Sequence, residues 1–237
     1  MRKHGYCLRS LAMSVALATL ATQAAPAAHA PATDYPSMAP LSQYMITDRA
    51  AEIALARSAA PEGISGKATI QVLGPAGYTT AEKGSNGFVC IVERSWMSPF
   101  SSSQFWNPRL RGPDCYNAEA AESILPLVYK RTALALRRQS RDEIRNAVRA
   151  AIAAKQLPPL AAGAMSYMMS KQQYLGDQAR QWVPHLMFYT AQNVTWGALA
   201  TGSPVILSPQ FRGAPEPMNL LLIPVPRWSD GTPAPRM

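Results

Sequence analysis

The sequence predicts a single α+β domain, with a mostly antiparallel sheet and two to three helices packed on one face. Apolar segments with strand-like alternation or β-branched residues lie before residue 97 and after residue 163. Between these two groups, apolar residues recur at helical spacing. Strands followed by helices and then by more strands are typical of the α+β class.

The beginning of the chain predicts a secretory signal peptide. Three basic residues precede an uncharged apolar segment at 11–21, and small residues follow it. This order is typical of signal peptides, and the segment is too short to span a bilayer. Cleavage is expected after Ala24, Ala27 or Ala30, with Ala27 preferred. Residues 1–27 are therefore assigned to the signal peptide, and the protein is expected to be secreted or periplasmic.

The rest of the chain is long enough for one domain with a substantial core. Residues 28–45, rich in Pro and Ala, are expected to be a leader, residues 46–228 the domain, and residues 229–237 a loose tail. No later apolar run approaches the roughly 20 residues that a membrane-spanning helix needs. No transmembrane segment is therefore expected in the mature chain.

The first half of the domain contains one expected helix and three expected strands. Apolar residues at helical spacing predict a helix at 47–58, which Pro61 follows. β-branched residues at 67–73 predict a strand, and 78–83 is its expected return after a Gly-Pro turn. The segment 88–96 begins apolar on both faces, which predicts a central strand.

The second half begins with a long expected loop at 97–116, whose aromatic residues favour packing onto the domain. Asn117 is the expected N-cap of a helix that Pro126 interrupts. An S-x-x-E capping box at 140–143 predicts the start of another helix. Further strands are expected at 164–171, 182–191, 204–207 and 220–225.

Removal of the signal peptide takes Cys7 and leaves two cysteines, Cys90 and Cys115. An even pair in an exported protein predicts a disulfide. Chain entropy gives such a bond about 3–4 kcal/mol of stabilisation. The alternative, a catalytic or metal-binding thiol pair, has no C-x-x-C spacing to support it.

The excess positive charge is local. The chain has 23 Lys and Arg against 14 Asp and Glu, and three of the basic residues lie in the signal peptide. Residues 130–155 contain eight basic and two acidic residues, which accounts for the whole excess that remains. Arg141, Arg145 and Arg149 recur every four residues and form one ridge of the predicted helix. This ridge could bind an anionic lipid, phosphate or acidic glycan, or it could simply be a solvated face. Export argues against nucleic acid as a partner.

An acid–base site is the second hypothesis. His185 is the natural general base, and Glu93 is its best partner because it continues an apolar face of the central strand. Tyr167 and Lys171 are further candidates that would converge on the same pocket. A structural histidine and a structural ion pair are the alternatives. The sequence does not decide whether the protein is an enzyme, and a protein without enzymatic activity is the favoured interpretation.

Copper binding is the third hypothesis, since soft thioether and imidazole ligands suit Cu(I). The alternative is that the methionines only fill the core. No cofactor is predicted, because the sequence lacks phosphate-loop, dinucleotide and zinc-protease motifs. The side chains that could bind Cu(I) are Met165, Met168, Met169, His185 and Met187.

The segments NGFVCIVERSW, FWNPRLRGPDCYN, GAMSYMMSK, WVPHLMFY and PRWSDGTP resemble a group of secreted bacterial proteins of unassigned function. The resemblance covers most of the mature chain and implies that it is one unit. It implies no activity, cofactor or catalytic residue. The leading expectation is therefore a binding or envelope-associated module whose basic helix contacts an anionic partner.

Overall fold

Eight strands form one sheet in the computed structural model, which describes Met1, residues 34–208 and residues 215–235. Apart from Met1, the expected signal peptide lies outside the described residues. The strands are β1 (Thr69–Gly74), β2 (Gly77–Glu82), β3 (Val89–Glu93), β4 (Gly112–Tyr116), β5 (Met165–Met168), β6 (His185–Ala191), β7 (Ile206–Leu207) and β8 (Met218–Pro224).

The strands lie in the order β2-β1-β3-β4-β5-β6-β8-β7. Within the described chain every neighbouring pair is antiparallel except β1 and β3. Together with the helices, this arrangement confirms the predicted α+β class. The predicted disulfide is also present: Cys90 of β3 and Cys115 of β4 are directly paired in register and bonded to each other.

The described α-helices are α1 (Arg49–Arg57), α2 (Glu62–Ser65), α3 (Ala118–Ser123), α4 (Leu125–Leu136) and α5 (Arg141–Ala153). Alternation along the strands separates two cores, one on each face of the sheet. Ile91 and Tyr116 lie on the face that α3, α4 and α5 cover, and we call it the inner face. Cys90 and Cys115 lie on the outer face, which α1 covers. Three helices thus pack on one face, as predicted, and α1 packs on the other.

Local signals explain where the long helices begin. Asp48, one residue after the expected start, accepts hydrogen bonds from the first amides of α1. Ser140 and Glu143 form the expected capping box of α5, with each side chain bonded to the other residue's backbone. The 97–116 segment differs from expectation, because its last five residues form β4 rather than loop.

The described parts of the expected leader and tail pack onto the domain. Tyr44 is fully buried, and its hydroxyl donates a hydrogen bond to the Trp106 carbonyl at 2.8 Å. The Ser229 amide donates to the Met169 carbonyl at 3.0 Å. In the described part of the chain, no helix combines the length and apolar character required to cross a membrane.

Candidate functional site

A cavity of about 190 Å³ lies against the inner face of the sheet. Ser98 and Pro99, which follow β3, contribute to its wall. Gly112 helps to leave its floor open: a Cβ there would lie 3.5 Å from Met168 Cε and 3.6 Å from Glu93 Cβ. The apolar wall includes three methionines. The charged and polar residues of the lining are Glu93, Arg94, Ser98, Asp114, Tyr116, His185, Tyr189 and Ser208.

Glu93 is the last residue of β3 and lies on the inner face, as the sequence alternation predicts. It is 9% exposed, and the Tyr116 hydroxyl donates a hydrogen bond to its Oε1. Burial raises the pKa of Glu93 to about 7, while the Tyr116 bond and the positive charge of Arg131 act in the opposite direction. Both the acid and the carboxylate are therefore populated near neutral pH.

Asp114 is fully buried at the centre of β4, opposite Ile91. Neither of its carboxylate oxygens has a partner at ordinary hydrogen-bond geometry. Burial, followed by the charge of Glu93, raises the pKa of Asp114 well above its usual value, although the Ser166 and Tyr116 hydroxyls and the Cys115 amide oppose the shift. Asp114 and Glu93 are diagonal neighbours across two strands, a relation that places side chains within about 7–8 Å.

Two tyrosines support this carboxyl pair. The rings of Tyr116 and Tyr189 are 6.5 Å apart, and the Tyr189 hydroxyl lies 3.2 Å from Ser166 Oγ. Burial raises the pKa of both tyrosine hydroxyls well above the usual value. Both hydroxyls consequently keep their protons at neutral pH and remain hydrogen-bond donors.

His185 begins β6 and is 2% exposed. Its Nδ1 lies 2.8 Å from the Val183 carbonyl, which only accepts hydrogen bonds, so Nδ1 carries a proton. The Trp182 ring meets the imidazole edge to face, with centroids 4.6 Å apart. Burial lowers the pKa of His185 to about 4. The imidazole is therefore neutral at pH 7, and its Nε2 carries a lone pair.

Arg131 of α4 binds the segment at 98–100, which contributes Ser98 and Pro99 to the cavity wall. Its Nη2 donates to the Ser98 carbonyl at 3.0 Å, and its guanidinium carbon lies 4.1 Å from the centre of the Phe100 ring. The nearest carboxylate in an ion pair is that of Glu216, at 3.8 Å. Burial lowers the pKa of Arg131 to about 10, so the side chain remains charged at neutral pH.

The structure brings two of the four predicted acid–base residues together. Glu93 and His185 line the same cavity, beneath the start of the expected loop. Tyr167 instead packs toward the outer-face core, with its ring 6.1 Å from that of Phe88. Lys171 lies outside the cavity and forms an ion pair of 3.0 Å with Asp230.

The basic ridge of α5 is partly engaged within the molecule. Arg141 donates to the Phe100 carbonyl at 3.3 Å and lies over the Phe105 ring. Arg145 pairs with Asp142 at 2.9 Å. Arg149 is exposed. The ridge therefore presents fewer uncommitted positive charges than its sequence suggests.

The predicted copper ligands divide between two places. Met168, His185 and Met187 line the inner cavity, and Met168 is directly opposite His185 in register. Met165 does not line that cavity. Met169 follows β5 and donates its amide to the Ala59 carbonyl, away from the cavity. Three of the five side chains thus line one cavity.

Sequence reasoning missed Asp114 and Tyr116, since both fall in the segment expected to be a loop. The cysteines carried the missing signal. Cys90 lies in the predicted central strand, and a neighbouring strand can supply its disulfide partner. This reasoning would have placed Cys115 in a strand. Alternation from Cys115 then directs both missed residues to the opposite face.

Among the described residues, no group of three or more His, Cys, Asp and Glu side chains is arranged to hold a metal ion. No protein-family model, curated protein or solved structure matches this chain. A functional conclusion therefore rests on the chemistry of the cavity, which two buried carboxyl groups and a neutral imidazole line.

Proposed function

We propose that the protein is a small hydrolase-like enzyme that binds its substrate in the inner-face cavity and uses Glu93 for proton transfer. One observation carries this proposal: Glu93 and Asp114 are buried on adjacent strands and line a cavity with His185. Buried ionisable groups with displaced pKa values in a cavity are typical of functional sites. This arrangement favours the acid–base alternative over a purely non-catalytic module.

The chemistry follows from the protonation states. Ionised Glu93 accepts a proton from a water molecule whose oxygen attacks an electrophilic carbon of the substrate. The bond between that carbon and the leaving group then breaks, and protonated Glu93 returns the proton to the departing group, so Glu93 is ionised again at the end. A pKa of about 7 suits both steps near neutral pH. His185, neutral at this pH, accepts a hydrogen bond at Nε2 and orients the water.

The proposal is tested by hydrolysis of chromogenic esters, amides and glycosides between pH 5 and pH 9. We expect turnover that depends on an ionisation near pH 7 and falls by about 100-fold or more in Glu93→Gln. Glu122→Gln is the matched control, because Glu122 is an exposed carboxylate on α3. Equal activity in Glu93→Gln and the control, or no turnover of any substrate class, would contradict the proposal.

A second candidate function is binding of an anionic envelope component through α5. Its support is the positive excess of residues 130–155 and the exposure of Arg149. Vesicles containing an anionic lipid should bind the protein, neutral vesicles should not, and added salt should weaken the interaction. Unchanged binding after Arg141, Arg145 and Arg149 are all replaced by Ala would exclude this function.

We further propose that the protein is exported to the periplasm or beyond. The Cys90–Cys115 disulfide supports this location, since such bonds persist in oxidising compartments. Mass spectrometry of protein recovered from the periplasm or medium should give an N-terminus that follows Ala24, Ala27 or Ala30. An intact N-terminus in the cytosolic fraction alone would contradict export.

A further inference from the structure

Asp114 presents an unmet hydrogen-bonding requirement to the cavity. Its side chain is fully buried, and both oxygens lack a partner at ordinary geometry. The single proton of the Tyr116 hydroxyl is already donated to Glu93. The Ser166 hydroxyl lies 3.2 Å from the Tyr189 hydroxyl. The Cys115 amide is a further donor near this side chain. Buried carboxylate oxygens without donors at ordinary geometry are costly, so a ligand group that supplies donors would be favoured here.

The positively charged side chains near the cavity are already bound to groups other than Asp114. The guanidinium of Arg131 donates to the Met97 and Ser98 carbonyls, and its ion pair is with Glu216 rather than Asp114. His185 is neutral. Arg94 also lines the cavity, but its guanidinium pairs with Glu52 and donates to the Tyr44 carbonyl. Both nearby cations are thus bound to groups other than Asp114, and the other polar groups around the carboxyl pair are a third carboxylate and uncharged side chains.

We infer that the cavity binds a small primary amine as its ammonium ion, with Asp114 as the principal anchor and Glu93 beside it. This inference rests on the proposed function in so far as it names the substrate class of the same cavity. An ammonium group supplies three N–H donors and one positive charge. An anionic ligand would find no uncommitted positive charge beside the two carboxyl groups, because Arg94 and Arg131 pair with other carboxylates. A hard divalent cation generally requires six or more oxygen ligands.

The remainder of the cavity suits a compact apolar body. Met168 and Met187 contribute flexible thioether walls, and Trp182 contributes an aromatic one. The volume of about 190 Å³ is somewhat larger than an engineered cavity of about 150 Å³ that accommodates benzene. A single ring or short chain that bears one aminomethyl group therefore fits, and benzylamine is a suitable probe.

Binding of an ammonium ion should release protons. A nearby positive charge favours the carboxylate forms and so lowers the pKa of Glu93 and Asp114. Affinity should therefore rise from pH 6 to pH 8, while the amine remains protonated. The titratable groups that face the pair do not change charge in this range: Tyr116 and Tyr189 have raised pKa values, His185 has a pKa of about 4, and Arg131 has one of about 10. Glu216, which pairs with Arg131, has a raised pKa. Its contribution is identified by repeating the titration with Glu216→Gln.

The test is calorimetric titration of the purified, oxidised protein with benzylamine and with benzyl alcohol, a neutral analogue of the same shape. Two buffers with different protonation enthalpies report the protons released. We expect benzylamine to bind at least about tenfold more tightly than benzyl alcohol, with proton release near pH 7. Asp114→Asn should remove that preference. The matched control is Asp48→Asn, because Asn also caps a helix well.

Gly112→Ala provides a second variant that alters the cavity but leaves every charge in place. The added Cβ would make ordinary van der Waals contacts with Met168 and Glu93, so folding should persist. It should weaken benzylamine binding by reducing the space available.

Equal affinity for the amine and the alcohol, or an unchanged preference in Asp114→Asn, would overturn the inference. Glu93-dependent hydrolysis of neutral substrates without amine binding would defeat this inference alone. Amine binding without Glu93-dependent turnover would instead defeat the proposed enzyme.

Discussion

Glu93 and Arg94 are adjacent in the chain, yet they belong to two buried ionic clusters of opposite character. Arg94 pairs with Glu52 at 2.8 Å and also donates to the Tyr44 carbonyl at 2.7 Å. The same oxygen of Glu52 accepts the Leu73 amide at 3.1 Å. This cluster joins α1 to the sheet and the N-terminal segment, and its members satisfy one another.

The second cluster, centred on Glu93 and Asp114, is incomplete. Glu93 has a tyrosine donor, whereas both oxygens of Asp114 lack a partner at ordinary geometry and line a cavity. The difference indicates two roles for buried charge. A saturated pair such as Arg94–Glu52 holds structure together, whereas an unsaturated pair beside a cavity is available for a ligand or a proton.

Breaking the saturated cluster should have the largest effect on stability. Glu52→Ala leaves the guanidinium of Arg94 buried without its carboxylate, and we expect the free energy of unfolding to fall by about 3–5 kcal/mol. Urea denaturation measures the change. Glu122→Ala, on an exposed helix face, should alter stability by no more than about 0.5 kcal/mol. A loss below about 1 kcal/mol in Glu52→Ala would mean that this cluster is not a structural anchor.

The disulfide should affect stability without defining the ligand site, because Cys90 and Cys115 face the outer core. The double replacement by Ala should lower the free energy of unfolding by about 3 kcal/mol. Under conditions in which the variant is folded, we expect benzylamine affinity within about twofold of the original, since the inner-face residues remain. Selective loss of binding in a folded variant would show that the two faces are coupled.

The pH dependence of stability should distinguish the Glu93–Asp114 cluster from the Arg94–Glu52 cluster. Burial raises the pKa of Glu93 from its usual 4.5 to about 7, so in this interval the folded state holds a proton that the unfolded state releases. The contribution of Glu93 to stability is therefore present below pH 4.5 and is lost as pH rises to about 7.

The loss should approach about 1.4 kcal/mol per pH unit for one proton. Glu93→Gln removes this titration and should therefore gain stability relative to the original protein as pH rises from 5 to 7.5. Urea denaturation at each pH measures the difference. A constant difference between the two proteins would contradict a raised pKa for Glu93.

The smallest expected effect is that of Asp114→Asn. This change removes a buried carboxylate without a saturated set of donors, so stability at pH 8 should be unchanged or increase by about 1 kcal/mol. Thermal or urea unfolding supplies the measurement. A decrease of more than about 2 kcal/mol would mean that Asp114 is a structural residue whose oxygens are satisfied in solution.

The sequence predicts much of the fold because alternation and capping are local properties. Glu93 could be assigned to a strand face from the two apolar residues that precede it by two and four positions. Asp114 could not be assigned in the same way, because Gly112 and Pro113 disfavour a strand and no apolar run surrounds it. The helix α1 was predicted, but its position on the outer face was not, since contacts between a helix and the sheet are decided by tertiary packing.

The most direct test of the central claim is a carbon NMR titration of the Glu93 side-chain carboxyl group, with and without benzylamine. Glu93→Gln assigns the signal by its loss. We expect a pKa near 7 in the free protein, lowered when the amine binds. An ordinary pKa near 4.5 that benzylamine leaves unchanged would contradict an acid–base and amine-binding cavity.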